Sequence, residues 1–319
     1  MKSIPAFFLI VFIGSAAFGA TASGCKAPPA AIVDFTTVSY YTDAHHSEAD
    51  PSLKEKEESD VKPVKEFEKG VATYASAYTQ GDSEAGGCAL SWLSDWAAKG
   101  AFLGKMGSGQ AYDTQKWLLA GVALSYGRVK QRAAAADATQ IENWLKELAE
   151  RVMAFTEQTP KIRNNHYYWN GLAVTAVGAI THEKTYLDFG SQVFDTAMGQ
   201  ISDDGSLPLE LRRGKKAARY HAFAAGALVM MSSILDQNSA QLDKLVEYTF
   251  NAARDPGAIE AKTGVAQDPL RPVDMEWLRI YLRRHSNSQM TAYESSQPSH
   301  PDELLGGDLS LANPLEHGH

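Results

Sequence analysis

The strongest constraint on the fold is a spacing. From about residue 60 to residue 284, apolar side chains recur three and four positions apart, segment after segment. The two-residue alternation of a half-buried strand is nearly absent. Val61, Val64, Phe67, Val71, Tyr74 and Tyr78 mark a first helix, with Asp60 as its cap, Pro63 in its opening turn and Gly81-Asp82 at its end. Cys88, Leu90, Trp92, Leu93, Trp96 and Ala97 mark a second, and Trp117 to Val129 a third. Ile141, Trp144, Leu145, Leu148, Val152 and Phe155 mark a fourth, closed by Pro160. The apolar run from Leu172 to Ile180 carries a fifth and Tyr186 to Met198 a sixth; stretches near 216–235, 239–253 and 274–284 complete the series.

Helices of roughly 12 to 20 residues joined by short turns pack as consecutive antiparallel hairpins, each needing a neighbour to bury its apolar face. No fixed-period repeat appears, which disfavours a tetratricopeptide-like array. A helical solenoid and a ring of hairpins closed into an (α/α) toroid both satisfy the pattern. At 319 residues and 44% hydrophobic composition, the chain can build one sizeable core.

The first 24 residues predict a signal peptide: Lys2, an apolar core from Ala6 to Ile13, and a small-x-small site at Ala20-Thr21-Ala22. That apolar run is too short to span a bilayer, and no later run reaches the length, so a soluble, exported protein without stable membrane insertion is expected. Export places it in the periplasm or outside the cell. Cys25 and Cys88 are the only cysteines, and in an oxidising compartment they predict one disulfide tying the N-terminal arm to a helix. Ser23-Gly24-Cys25 also allows a lipid anchor on Cys25. Residues 26 to about 60 lack helical periodicity, interrupted by Pro28, Pro29 and Pro51, and the run Glu55 to Glu58 reads as a solvated face. Tyr40-Tyr41-Thr42-Asp43-Ala44-His45-His46 is dense in hydrogen-bonding groups; with no element to fix ligand geometry, it reads as a mobile loop and not as a metal site.

A net charge of −8 argues against nucleic acid as partner. A polyanionic partner then needs a local basic patch, and five cations between Arg212 and Arg219 supply a candidate: Arg212, Arg213, Lys215, Lys216 and Arg219. A solvated helix face is the other reading of that run. Tyr220 follows Arg213 by two helical turns, so an Arg beside a phenol would favour loss of its proton. The second dense stretch is Arg163-Asn164-Asn165-His166-Tyr167-Tyr168-Trp169, with Lys161 just ahead. One asparagine there suffices to cap a helix, which leaves the other over. Asn, His, Arg and Tyr without paired carboxylates or metal suit β-elimination next to a carboxylate. Asn and Arg neutralise the carboxylate of a uronic acid, a base takes the C5 proton, and an acid protonates the departing O4. No cofactor is needed.

These stretches resemble the alginate lyases of polysaccharide lyase family 5. Asn164-Asn165-His166-Tyr167-Tyr168-Trp169 is similar to the family's Asn-Asn-His-x-Tyr-Trp. Leu207-Pro208-Leu209-Glu210-Leu211-Arg212-Arg213 with Tyr220-His221 is similar to its Leu-Pro-x-Glu-Leu-x-Arg…Tyr-His. The helix from Cys88 to Ala97 resembles its Cys-Ala-Leu helix. The resemblance implies an all-α, incomplete (α/α) toroid with a deep cleft, no metal and export to the periplasm. It implies catalytic roles for Asn165, His166, Arg213 and Tyr220: Asn165 and Arg213 on the carboxylate, Tyr220 as base and then acid, His166 as a second base or as a holder of Tyr220 and the carboxylate. Tyr40, Tyr41, Trp117, Lys161, Arg163, Tyr167, Tyr168, Trp169, Arg212 and His221 are the implied substrate contacts, with the Tyr40-Tyr41 arm as a lid. The expected substrate is a 1,4-linked polyuronate such as polymannuronate, and the expected assembly a monomer, with residues 25–319 as one domain. The chain departs from the family at Tyr167, where Ser is common, at Leu304, where Arg is frequent, and at Ala44-His45-His46, where a Lys is usual; polyglucuronate and hyaluronan enter as further substrates on that account. Two other functions fit parts of the pattern. An (α/α) glycoside hydrolase needs two carboxylates across the bond, with Asp203 or Asp204 and Glu210 as the nearest pair. A non-catalytic polysaccharide-binding toroid needs only the aromatics and cations.

Overall fold

A computed structural model describes residues 24–317; the segment read as a signal peptide lies outside the described residues apart from Gly24. Among them there are helices and three isolated β-bridges, and no strand. The helices are α1 (Pro51–Thr79), α2 (Ser83–Ala98), α3 (Gly109–Val129), α4 (Ala135–Gln158), α5 (Asn165–Thr181), α6 (Lys184–Met198), the single turn α7 (Pro208–Leu211), α8 (Ala217–Leu235), α9 (Ala240–Arg254), α10 (Gly257–Thr263), α11 (Leu278–Leu282) and α12 (Ser288–Ser296).

They form an incomplete (α/α) toroid. The inner helices α1, α3, α5 and α8 pack on one another in sequence, and α2, α4, α6 and α9 back them from outside. The sequence carries this division. In α5, 14 of 17 residues are buried, while α9 buries 6 of 15, so the first is enclosed on all sides and the second shows one face to water. One hydrophobic cluster runs from Phe35 through every inner helix to Leu309.

Helix α1 begins well before the expected cap at Asp60. Asp50 is the cap, accepting from the amides of Ser52 (2.8 Å) and Leu53 (2.9 Å), and Pro51 takes the first helical position, where its missing N–H costs nothing. The run from Glu55 to Glu58 therefore lies on a helix. Lys54–Glu58 and Lys56–Asp60 pair along it at four-residue spacing, while Glu57 turns inward and is buried. Pro63 sits inside the helix and not in its first turn; buried Val61, Val64 and Phe67 carry the helix through it.

Two lashings complete the fold. Cys25 is bonded to Cys88, and the indole N–H groups of Trp92 and Trp96 donate to the carbonyls of Lys26 (2.7 Å) and Pro29 (2.9 Å), fixing the arm to α2. A disulfide at Cys25 and a lipid on its sulfur exclude each other. At the other end, buried Arg128 of α3 donates to the carbonyls of Gly306, Asp308, Leu311 and Ala312, all within 3.2 Å. This holds the loop 302–307 across the gap between α1, α3 and α8. Gly307, at φ +105°, lies so close to α1 that a Cβ would press on the Ala72 carbonyl at 2.9 Å.

Candidate active site

The start of α5, the start of α8, the α1 face and the loop 302–307 border one cleft of about 690 Å³. Asn164 caps α5, its side chain accepting from the His166 amide at 3.1 Å. Asn165 is thereby free for other work. Its backbone N–H donates to Glu210 Oε1 (2.7 Å) and its Nδ2 to Glu210 Oε2 (3.0 Å), while its buried Oδ1 lines the cleft without a partner. A buried polar atom left over beside a cavity marks a place for a ligand group. Among the described residues Nδ2 has no acceptor besides Glu210. Helical geometry sorts the rest of the stretch. Asn165 and Trp169, four apart, share the cleft face with His166, and the intervening Tyr167 and Tyr168 turn away.

Glu210 is the buried hub of the second wall. It takes both Asn165 bonds and faces Arg213 Nε at 3.4 Å. Burial pushes its carboxyl up, against the pull of Arg213 and Asn165. Arg213 is itself only 7% exposed and is not among the cleft-lining residues; its guanidinium lies over the Tyr220 ring, 4.5 Å from the centroid. Tyr220 lines the cleft. Burial, followed by the effect of Tyr41, pushes its phenol well above the ordinary value, and Arg213 lowers it too little to compensate. The expectation that Arg213 makes this proton easy to lose is thus corrected: desolvation outweighs the one neighbouring cation.

The phenol whose proton is held less tightly than usual is the neighbour's, Tyr41. Tyr40 Oη (3.2 Å), Lys216 Nζ (3.3 Å) and the Tyr220 hydroxyl all hydrogen-bond the Tyr41 oxygen. Burial works against ionisation of Tyr41, but the bonds from Tyr220 and Tyr40 and the Lys216 charge outweigh it, and its pKa falls below the usual value. The loop carrying Tyr40 and Tyr41, expected to be mobile, is closed on itself by Asp43. That carboxylate accepts from the amides of His45, Ser47 and Glu48 and from the Ser47 hydroxyl, at 2.8 to 3.1 Å. His46, set at φ 56°, stacks on Tyr41 at 5.3 Å and reaches the cleft.

His166 Nδ1 lies 3.0 Å from both Lys116 Nζ and Asp113 Oδ1 of α3, and Lys116 also pairs directly with Asp113. Burial first, and then Lys116, pulls the imidazole below its ordinary pKa, so it is neutral near pH 7. Burial raises Asp113, yet Lys116 and His166 hold it far below the carboxylate range. Sequence reasoning passed over Asp113 and Lys116. The available signal was a charged pair three apart running straight into the apolar Trp117-Leu118-Leu119. It also passed over Phe223, which stacks on Trp169 (4.6 Å) and meets Trp117 edge-on (5.9 Å) to make an aromatic floor.

Several expected contacts lie elsewhere. Lys161 and Arg212 are exposed and do not line the cleft. Arg163 packs over Tyr167 (4.3 Å) away from it, and Tyr168 donates to Gln200 (2.9 Å) behind α5. His221 is fully buried. Its Nε2 accepts from the Leu207 amide (2.9 Å) and its Nδ1 donates to the Ala217 carbonyl (2.8 Å), which fixes the turn before α7; burial takes its pKa down to about 4. Of the five expected cations, Lys216 and Arg219 face the cleft, while Lys215 pairs with Glu48 at 2.9 Å. Carboxyls line the cleft as well: Glu57 and Glu68 of α1 and Asp302 and Glu303 of the closing loop, with Leu304, Lys54, Lys65 and Arg271 among them. Burial first, and then the charge of Glu303, pushes Glu68 up to about 8 and Asp302 to about 7, so both carry much of their proton near neutrality.

Residues 34–259 match the family described as alginate lyase. The chain is 35% identical to a polysaccharide lyase of Stenotrophomonas maltophilia over 91% of its length and 90% of the relative's. It is 28% identical to an alginate lyase of Pseudomonas aeruginosa, over 93% and 88%. Among solved structures, alginate lyase A1-III complexed with a tetrasaccharide superposes with a TM-score of 0.79 at 22% identity, covering 91% of this chain and 86% of that one. The same enzyme from Sphingomonas species A1 superposes with a TM-score of 0.75 at 21% identity, over 91% and 86%.

Proposed function

The chain belongs to the alginate lyase family, and from that premise we propose that it cleaves 1,4-linked polyuronates by β-elimination, leaving 4,5-unsaturated uronate ends. The observation that carries this is the meeting of Asn165, His166 and Tyr220 on one cleft, with Arg213 against the Tyr220 ring. Asn165 Nδ2, aided by the field of Arg213, takes up the negative charge that builds on the uronate carboxylate as C5 loses its proton. Tyr220 rests protonated, hydrogen-bonded to Tyr41, and gives up its proton to solvent before it acts as the base. The resulting Tyr220 phenolate takes the C5 proton. The C4–O4 bond then breaks as the C4–C5 double bond forms, and Tyr220 returns the proton to O4. The site is then ready for the next turnover. Trp117, Trp169 and Phe223 supply the apolar floor on which sugar faces rest.

Relatives named alginate lyase support alginate as the substrate; polymannuronate comes first in our own reading of the site. The carboxyls and Leu304 leave hyaluronan within reach, because that part of the cleft does not demand a carboxylate on each sugar, and the departure at Tyr167 leaves polyglucuronate within reach as well. The hydrolase reading loses its pair: Glu210 is spent on Asn165 and Arg213, and Asp203 stands fully in solvent on another loop. The protein is read as an exported periplasmic monomer with one catalytic domain. Mass spectrometry of products from polymannuronate, polyguluronate, polyglucuronate and hyaluronan tests the reaction. Fragments with chain ends one water lighter than hydrolysis products are expected from at least one polymer; fully hydrated ends would make it a hydrolase.

A further inference from the structure

His166 has two ring nitrogens, and the structure engages one. Nδ1 faces Lys116 Nζ and Asp113 Oδ1 at 3.0 Å each, while among the described residues nothing hydrogen-bonds Nε2. The ring lines the cleft, so Nε2 is the nitrogen left for substrate. Lys116 is 2% exposed and Asp113 is its ion-pair partner, three residues away on α3. Burial pulls the Lys116 ammonium below its ordinary pKa, and the Asp113 carboxylate works against that pull.

The two partners make opposite demands on Nδ1. An ammonium has only donors, so toward Lys116 Nδ1 is an acceptor and the ring proton sits on Nε2. A carboxylate only accepts, so toward Asp113 Nδ1 carries the proton and Nε2 is bare. Both partners stand 3.0 Å from Nδ1, the Lys116 contact with hydrogen-bond geometry and the Asp113 contact as an ion-pair distance, so the two demands compete at one nitrogen. The consequence appears on the cleft side of the ring. With Nε2–H, His166 donates to the uronate carboxylate and does not accept a proton. With a bare Nε2, it is a base. In mannuronate, H5 and O4 leave from one side of the ring, and Tyr220 alone can serve both. In guluronate, the C5 epimer, H5 and O4 lie on opposite faces, and a second base is needed.

We propose that Asp113 and Lys116 are positioning residues that set the tautomer of His166 in opposite senses, and through it the balance between guluronate and mannuronate cleavage. The second half rests on the elimination reading above; the first half does not. Of the other charges near His166, Arg213 stands on the Tyr220 side and disfavours the imidazolium, so the choice is between two neutral forms.

Long-range nitrogen–proton NMR of the mature protein labelled at histidine reads the tautomer directly, with the His166 signal assigned by its loss in His166→Gln. In the unaltered protein at pH 7, a neutral ring with the proton shared between the nitrogens is expected. Lys116→Met should move the proton to Nδ1 and raise the polyguluronate-to-polymannuronate rate ratio by about tenfold or more. Asp113→Asn should move it to Nε2 and lower that ratio. A doubly protonated His166 in the unaltered protein at pH 7 overturns the proposal without recourse to variants, as does an unchanged tautomer in the isosteric Asp113→Asn. A rate ratio that moves the same way in both variants overturns the link to epimer choice. If the tautomers swap as stated while the unaltered protein turns over neither polymer, the dyad stands and the elimination reading falls.

Discussion

At the scale of single residues, the site works through differences in desolvation. Tyr220 and Tyr41 touch, yet their protons are held unequally, because three hydrogen bonds converge on one oxygen and not on the other. Tyr41→Phe removes the hydroxyl that, after burial, pushes the Tyr220 phenol up. The rise of kcat with pH should then move to lower pH, and a pH–rate profile unchanged from that of the unaltered enzyme would contradict this influence of Tyr41 on Tyr220. Arg213→Ala strips the Tyr220 ring and Glu210 of their cation. Both kcat and the affinity for polymer should fall, with kcat/KM down at least about tenfold, and normal values of both would remove Arg213 from the site. Much of this was legible in the sequence. Two adjacent asparagines announced that one was surplus to capping, and the surplus one faces the cleft. His221 was not legible as structural, because a histidine beside a candidate base looks the same in sequence whether it meets substrate or a backbone amide. Asp113 and Lys116 hid in a helix whose apolar spacing drew the eye to its core face.

At the scale of elements, the inner helices α1, α3, α5 and α8 announced themselves by period, and their ends fix the site. The missed start of α1 has a definite cause: Pro51 and a charged run read as a break, where a proline at the first helical position and charges paired at four-residue spacing build a helix instead. The closing loop 302–307 was legible only through resemblance, since its place depends on Arg128, 178 residues from the Gly306 carbonyl it binds. Arg128→Met leaves four carbonyls without their donor. It should cost at least about 3 kcal/mol in urea unfolding, and a loss below about 1 kcal/mol would show that the loop is held by other contacts. Asp43→Ala cuts the bonds that close the Tyr40–Tyr41 loop. A higher KM with helical content unchanged is the expected result, and an unchanged KM would detach that loop from substrate binding.

At the scale of the molecule, an acidic protein handles a polyanion in a cleft whose lining holds Lys216 and Arg219 together with half-neutralised carboxyls. The gathering of those carboxyls was invisible in the chain because Glu68 and Asp302 are 234 residues apart. Glu68 has a folded pKa of about 8 against an ordinary 4.5, so the folded state holds an extra proton between those values. Its contribution is greatest below pH 4.5 and is lost as pH rises through 8, at about 1 kcal/mol per pH unit. Thermal stability should therefore decline from pH 6 to pH 9, and Glu68→Gln should flatten the decline; an equal slope in both proteins would contradict this. Above pH 8 the ionised carboxyls should also weaken polyanion binding. In this mechanism one phenol moves both protons of an elimination. Its most direct test is the ultraviolet absorbance of unsaturated uronate ends formed from polymannuronate by the mature enzyme and by Tyr220→Phe, with polymer binding followed by calorimetry. A steady rise is expected for the enzyme, and for the variant binding of similar strength with turnover reduced by about a thousandfold or more. A variant that keeps most of its rate would contradict it.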